Sequence, residues 1–93
     1  MTGHPHMTSR ETNFVAPRGG VMTDEVGTIT GDLTLRTELA ADGTVQVLVQ
    51  YLGAAEWYRV TGAPTSLPPN TTLDALHERI LGELRRPAPD VGQ

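Results

Sequence analysis

Between Ile29 and Leu39 the chain alternates, with Ile29, Leu33, Leu35 and Leu39 on one parity and Thr30, Asp32, Thr34, Arg36 and Glu38 on the other. Period two with one apolar side predicts a half-buried strand. A second alternating run, Val45, Val47, Val49 and Tyr51, follows the segment AADGT. Asp42-Gly43 between two such runs predicts a hairpin with a three-residue loop, in which Gly43 takes the left-handed conformation that costs other residues strain. That loop sets Ala40 opposite Thr44, Leu39 opposite Val45, Leu35 opposite Val49 and Leu33 opposite Tyr51, so the two apolar parities coincide. After Leu52 the segment GAAE reads as a tight turn into a third strand, with Gly53 opposite Glu56, Leu52 opposite Trp57, Tyr51 opposite Tyr58 and Val49 opposite Val60. The expected sheet is a three-stranded antiparallel meander with the second strand central.

The period then changes. TGAPTSLPPN interrupts the sheet, and Asn70, Thr71 or Thr72 is placed to cap a helix with Asp74 in its first turn. At about 100° per residue Leu73, Leu76, Ile80, Leu81 and Leu84 fall on one side, and Asp74, Glu78, Arg79 and Arg85 on the other. The predicted fold class is α+β: the meander with one C-terminal helix across one face. Residues 1–25 contain Pro5, Pro17, Gly19 and Gly20 without either period, and read as a disordered N-terminal arm; residues 26–86 form the single βββα domain, and residues 87–93, with Pro87 and Pro89, read as a disordered tail. Met7-Thr8 and Met22-Thr23 repeat the opening Met1-Thr2, which makes all three candidate translation starts.

Strand parity divides the aromatic residues between two faces. Tyr51 and Tyr58 share the parity of the valines and belong to the helix-covered side or its rim. Trp57 emerges on the open side with Leu48 and Leu52, flanked by Arg36, Gln50 and Arg59. A Trp and two Leu ringed by Arg and Gln have the composition of an interface centre. Cover by the N-terminal arm, through Phe14 and Val15, is the competing reading of the same patch.

Charge and composition narrow the function classes. The 93-residue chain has a formal net charge of −4 and a pI near 5.1. Nucleic-acid affinity needs clustered cations that displace counterions, so this balance disfavours a phosphate-binding surface. All seven cations are Arg, which leaves no lysine for Schiff-base chemistry, and the absence of Cys removes thiolate nucleophiles, disulfides and Cys-based metal sites. No apolar run has the roughly 18 residues of a membrane span, and MTGHPHMTSR lacks the form of a secretory signal. The expected setting is cytoplasmic, with no membrane and no cofactor.

Other chemistry-bearing residues are given ordinary roles. His77 lies inside the apolar arc of the helix without a second His or Cys in the folded part, which points to a packed imidazole with a hydrogen-bond partner. The His4-x-His6 pair in the arm suits Cu(II) or Ni(II) in the way of many such termini and is assigned no metal function. Asp32, Glu38 and Glu56 read as solvated charges. Ser9 and Ser66 lack a nucleophile elbow, Gly19-Gly20 is followed by no G-K-[ST], and Arg85-Arg86 suits a helix C-terminus. The expected function is a small non-enzymatic protein-interaction module, accessory or regulatory. It acts on a protein partner or on itself, as a homodimer, through Trp57, Leu48, Leu52, Arg36, Arg59 and Gln50. The alternative is a nucleic-acid-binding module in which Arg36 and Arg59 meet phosphates and Trp57 stacks on bases.

Overall fold

The central hairpin forms as the alternation requires. In a computed structural model, which describes residues 8–86, β4 (Asp32–Leu39) pairs antiparallel with β5 (Val45–Tyr51), joining Leu39 to Val45, Leu35 to Val49 and Leu33 to Tyr51. The Ala40 N–H donates to the Thr44 carbonyl, Gly43 sits at φ 91°, and the Asp42 carboxylate accepts from the Thr44 N–H, which holds that carboxyl below its usual range. The helix α1 (Leu73–Leu84) is capped by the Thr72 hydroxyl, which accepts from the Ala75 N–H. Leu73, Leu76, His77, Ile80 and Leu81 are its buried residues. The class is therefore α+β, with one helix on an antiparallel sheet.

The sheet is wider than the meander read from the sequence. β1 (Thr8–Val15) runs antiparallel along the outer edge of β4, with Thr12 opposite Leu35 and Phe14 opposite Leu33, giving the order β1-β4-β5-β6 with β6 at Tyr58–Arg59. The expectation of a disordered arm is thus corrected over residues 8–25; residues 1–7, with the His4-x-His6 pair, and the tail at 87–93 lie outside the described residues. The alternation from Ile29 is also split. Ile29 ends β3 (Gly27–Ile29), which pairs with β2 (Val21–Thr23) in a separate small sheet, and Gly31 at φ 90° redirects the chain before β4 begins.

The small sheet hooks onto the large one at β6. Thr23 bridges to Val60, the Asp24 N–H donates to the Arg59 carbonyl, and the Thr61 N–H donates to the Met22 carbonyl. The turn between β2 and β3 is stapled by Thr23, whose hydroxyl donates to the Gly27 carbonyl and accepts from the Val26 N–H. Val21 and Ile29 join Phe14, Leu33, Leu35, Val45, Val47, Val49, Leu76, Ile80 and Leu81 in one apolar cluster. The core is therefore closed by two lids on the same side of the sheet, the helix over β1 and β4 and the β2–β3 hairpin beside it. Among the described residues no helix is long and apolar enough to cross a membrane.

At the open end of the β2–β3 hairpin the two strands approach so closely that Gly20, at φ 72°, has no room for a side chain. A Cβ there would stand 2.5 Å from the Thr28 methyl carbon and 2.7 Å from the Ile29 carbonyl oxygen. Gly20→Ala is expected to destabilise the protein by about 2 kcal/mol, from backbone strain and displacement of β3 together. Gly43→Ala, which has the same sign of φ but open space around it, is expected to cost about half as much. Urea denaturation of the two variants checks the difference.

The third sheet pairing departs from the expected register by two residues. Val49 stands opposite Tyr58 and Leu48 opposite Arg59, where the sequence reading sets Val49 against Val60. The reason lies in the turn. A two-residue Ala54-Ala55 connection would require positive φ at residues that resist it, and instead Gly53 takes φ 81° while the Ala54 N–H donates to the Tyr51 carbonyl. The strand ends earlier and a longer loop carries the chain to Trp57. A shift of two preserves parity, so every side chain keeps its assigned face.

Candidate interaction face

The face of the large sheet opposite both lids is built from the second parity of each strand. β1 contributes Glu11 and Asn13, β4 contributes Asp32, Thr34, Arg36 and Glu38, and β5 contributes Leu48 and Gln50. Arg36, Leu48 and Arg59 stand side by side across three strands, because Arg36 pairs with Leu48 and Leu48 with Arg59. Trp57, half-buried just before β6, extends the line through Gln50, and Leu52 is 53% exposed at the end of β5. All six residues picked out in the sequence therefore lie on or beside one surface, which β1 does not cover. β1 lies in the plane of the sheet, with Phe14 turned to the core at 8% exposure and Val15 at the far edge from Trp57.

Arg36 organises the centre. Its guanidinium carbon lies 5.8 Å from the centroid of the Trp57 ring, within the range of a cation–π contact. The same group is bound by the carboxylates of Glu38 and Glu11, which raise its pKa above the ordinary arginine value against the opposing effect of desolvation. Glu38 is thus a partner of Arg36, correcting its reading as a solvated charge. The Thr34 hydroxyl donates to the Asn13 side-chain oxygen at 2.7 Å, tying β1 to β4 on this face as well. Glu25, from the β2–β3 turn, accepts from the Arg59 N–H at 2.8 Å and places its carboxylate near the Arg59 guanidinium. No sequence rule announces these partners, because Glu11 and Glu25 lie far along the chain in a stretch without period.

Tyr51 and Tyr58 occupy the rim of the core side, with Tyr51 42% exposed. The Tyr58 hydroxyl donates to the Glu56 carboxylate, whose proximity raises the phenol pKa. His77 is 2% exposed and spans two strands: Nε2 lies 2.8 Å from the Thr12 hydroxyl of β1, and Nδ1 lies 2.9 Å from the Thr37 hydroxyl of β4. This is the packed imidazole expected from its place in the apolar arc.

A cleft of about 400 Å³ opens where the segment after β6 leaves β5. The Val60 N–H donates to the Val47 carbonyl and the Val45 N–H to the Thr65 carbonyl, while Thr61 to Pro64 bow outward between those bonds. Asp24 and Arg59 are the ionisable residues that line it, and the Asp24 carboxylate accepts from the Thr61 hydroxyl at 2.6 Å. Neither a histidine nor a nucleophile-and-base pair faces this space. Among the described residues no group of three or more His, Asp or Glu is arranged to hold a metal ion.

No protein-family model matches the chain, and neither a curated protein nor a solved structure matches it.

Proposed function

We propose that this protein is a non-enzymatic interaction module whose open sheet face docks a protein surface with an apolar centre and an excess of basic residues. The observation that carries the reading is the clamped Arg36–Trp57 pair beside Leu48 and Leu52. Fixing the guanidinium between two carboxylates lowers the entropic cost of ordering it on binding, and Trp and Arg are the residues in which interface energy concentrates.

Charge selects the class of partner. Glu11, Glu25, Asp32 and Glu38 surround Arg36 and Arg59, leaving this surface with a net charge of −2. Both guanidinium groups already face carboxylates, which works against phosphate as their ligand. Two copies meeting face to face would oppose like charges, so the surface suits a different, basic protein better than a second copy of itself.

The test uses a photo-crosslinking residue in place of Leu52, with a control at Arg79 on the outer side of α1. A discrete protein adduct from position 52 only, lost on Trp57→Ala, is expected. Calorimetry with the purified partner is then expected to give a Kd about 30-fold weaker for Trp57→Ala, the roughly 2 kcal/mol of a truncated hot spot. Identical adducts from both positions, or unchanged affinity in a folded Trp57→Ala protein, would overturn the proposal. Titration with single-stranded oligonucleotides, followed through the emission of the single Trp, is expected to give no response at physiological salt.

A further inference from the structure

The outer side of β1 is an edge of the large sheet. The Ala16 N–H donates to the Gly31 carbonyl, which sets the alternation of the ladder between β1 and β4. Thr8, Arg10, Thr12 and Phe14 therefore direct their amide groups toward β4, whereas Ser9, Glu11, Asn13 and Val15 direct theirs away from the sheet. The Ser9 carbonyl confirms the direction, since it accepts from the guanidinium of Arg10 at 3.0 Å.

Natural sheets blunt such edges with charged side chains, proline, a bulge or a short strand. Of these β1 has only the charges of Arg10 and Glu11, which are engaged by Asp74 and Arg36 of their own chain. The strand is eight residues long, pairs one for one with β4 throughout, contains no Pro and has no residue at positive φ. Among the described residues no strand pairs with its outer side.

We infer that β1 pairs antiparallel with β1 of a second copy, about a two-fold axis through Thr12, joining the two four-stranded sheets into one. The register follows from the side chains. An axis at Arg10 or at Glu11 would oppose that residue to its own like-charged copy, and an axis at Asn13 would set Ser9 against Pro17, which has no N–H. With the axis at Thr12, Glu11 meets Asn13 of the second copy and Ser9 meets its Val15, forming about eight backbone hydrogen bonds. Arg10 then stands opposite Phe14 of the second copy and Thr12 opposite Thr12, so no like charges are directly opposed.

The helices permit this arrangement. Each α1 packs over β1 and β4 of its own sheet, so the two helices come to lie antiparallel about two strand spacings apart, roughly 10 Å, which is an ordinary packing distance for helices. An axis perpendicular to the sheet also keeps both Trp57 surfaces on one side. The pairing does not rest on the docking role of that surface.

Sedimentation velocity of the full chain tests the inference. A species of twice the 10.0 kDa chain mass is expected at micromolar to millimolar concentration, with dissociation on dilution. In hydrogen exchange the Glu11 and Asn13 amides are expected to be protected in the dimer and released with it. Asn13→Pro removes one outward N–H without touching the ladder to β4, and is expected to give a folded monomer. Asn13→Asp keeps the acceptor for the Thr34 hydroxyl and sets Asp against Glu11 of the second copy. It is expected to raise the dimer Kd about tenfold at low salt through two symmetric like-charge pairs, with added salt restoring association. A chain that stays monomeric at millimolar concentration, or a dimer indifferent to Asn13→Asp, would exclude the pairing, as would a dimer dissolved by Trp57→Ala instead.

Discussion

A chain beginning at Met22 is expected to show no cooperative unfolding transition. Removing residues 1–21 deletes β1 and Val21, and with them the Phe14 ring and one wall of the apolar cluster. It also takes Thr12 from the buried imidazole of His77 and strips the outer hydrogen bonds from Leu33, Leu35, Thr37 and Leu39. Truncating a buried aromatic alone costs about 3–5 kcal/mol, and small domains have only about 5–15 kcal/mol of net stability. The sum of the losses exceeds what a domain of this size retains.

The single-residue counterpart is Phe14→Ala. It is expected to lower stability by about 3 kcal/mol, equivalent to roughly 15 °C in thermal midpoint for a domain of this length. Substituting a residue in a solvated arm would leave the midpoint unmoved. Circular dichroism melts of the three proteins separate these outcomes.

The second large effect concerns His77. Burial is the leading influence on its imidazole and holds the pKa below the ordinary value of 6.5; Arg10 pushes the same way, whereas Glu78 and Asp74 oppose it. The unfolded chain therefore takes up a proton first as the pH falls. Stability is complete above about pH 6.5 and declines below it, until the folded-state pKa is reached and the two states again bind protons equally. His77→Gln retains hydrogen-bonding capacity toward Thr12 and Thr37 without a titrating group, and is expected to remove this decline below about pH 6.5. His77→Ala is expected to cost about 2–4 kcal/mol at neutral pH, since it opens a cavity and leaves the buried Thr37 hydroxyl and the half-buried Thr12 hydroxyl without this partner. Urea midpoints across pH measure both. Equal slopes for the parent and His77→Gln would refute the assignment of the titration to this residue.

These two expectations meet on β1, the element that sequence periodicity conceals. Its core-facing positions are Thr8, Arg10, Thr12 and Phe14, and only Phe14 is apolar. Arg10 reaches Asp74 and Thr12 reaches His77, so the strand is fastened to the helix by polar contacts some 64 and 65 residues away in sequence. Alternation records burial against an apolar neighbour and is blind to a strand held this way. One clue existed: a histidine inside an apolar arc requires partners, and Thr8 and Thr12, on one parity of TSRETNFV, are β-branched residues suited to supply them. β2 and β3 escape for a simpler reason, since three residues cannot display a period.

The residues of the chain determined the β4–β5 register, the helix and its buried side, and the face on which Trp57 emerges. Each depends on neighbours within a few positions or on a parity that survives a two-residue slip. Tertiary structure alone decided that the first strand pairs along β4, that a small hairpin completes the core, and that Glu11, Glu38 and Glu25 constrain the two arginines of the open face. Those outcomes rest on pairings between distant segments, whose free energy depends on geometry that no local pattern encodes.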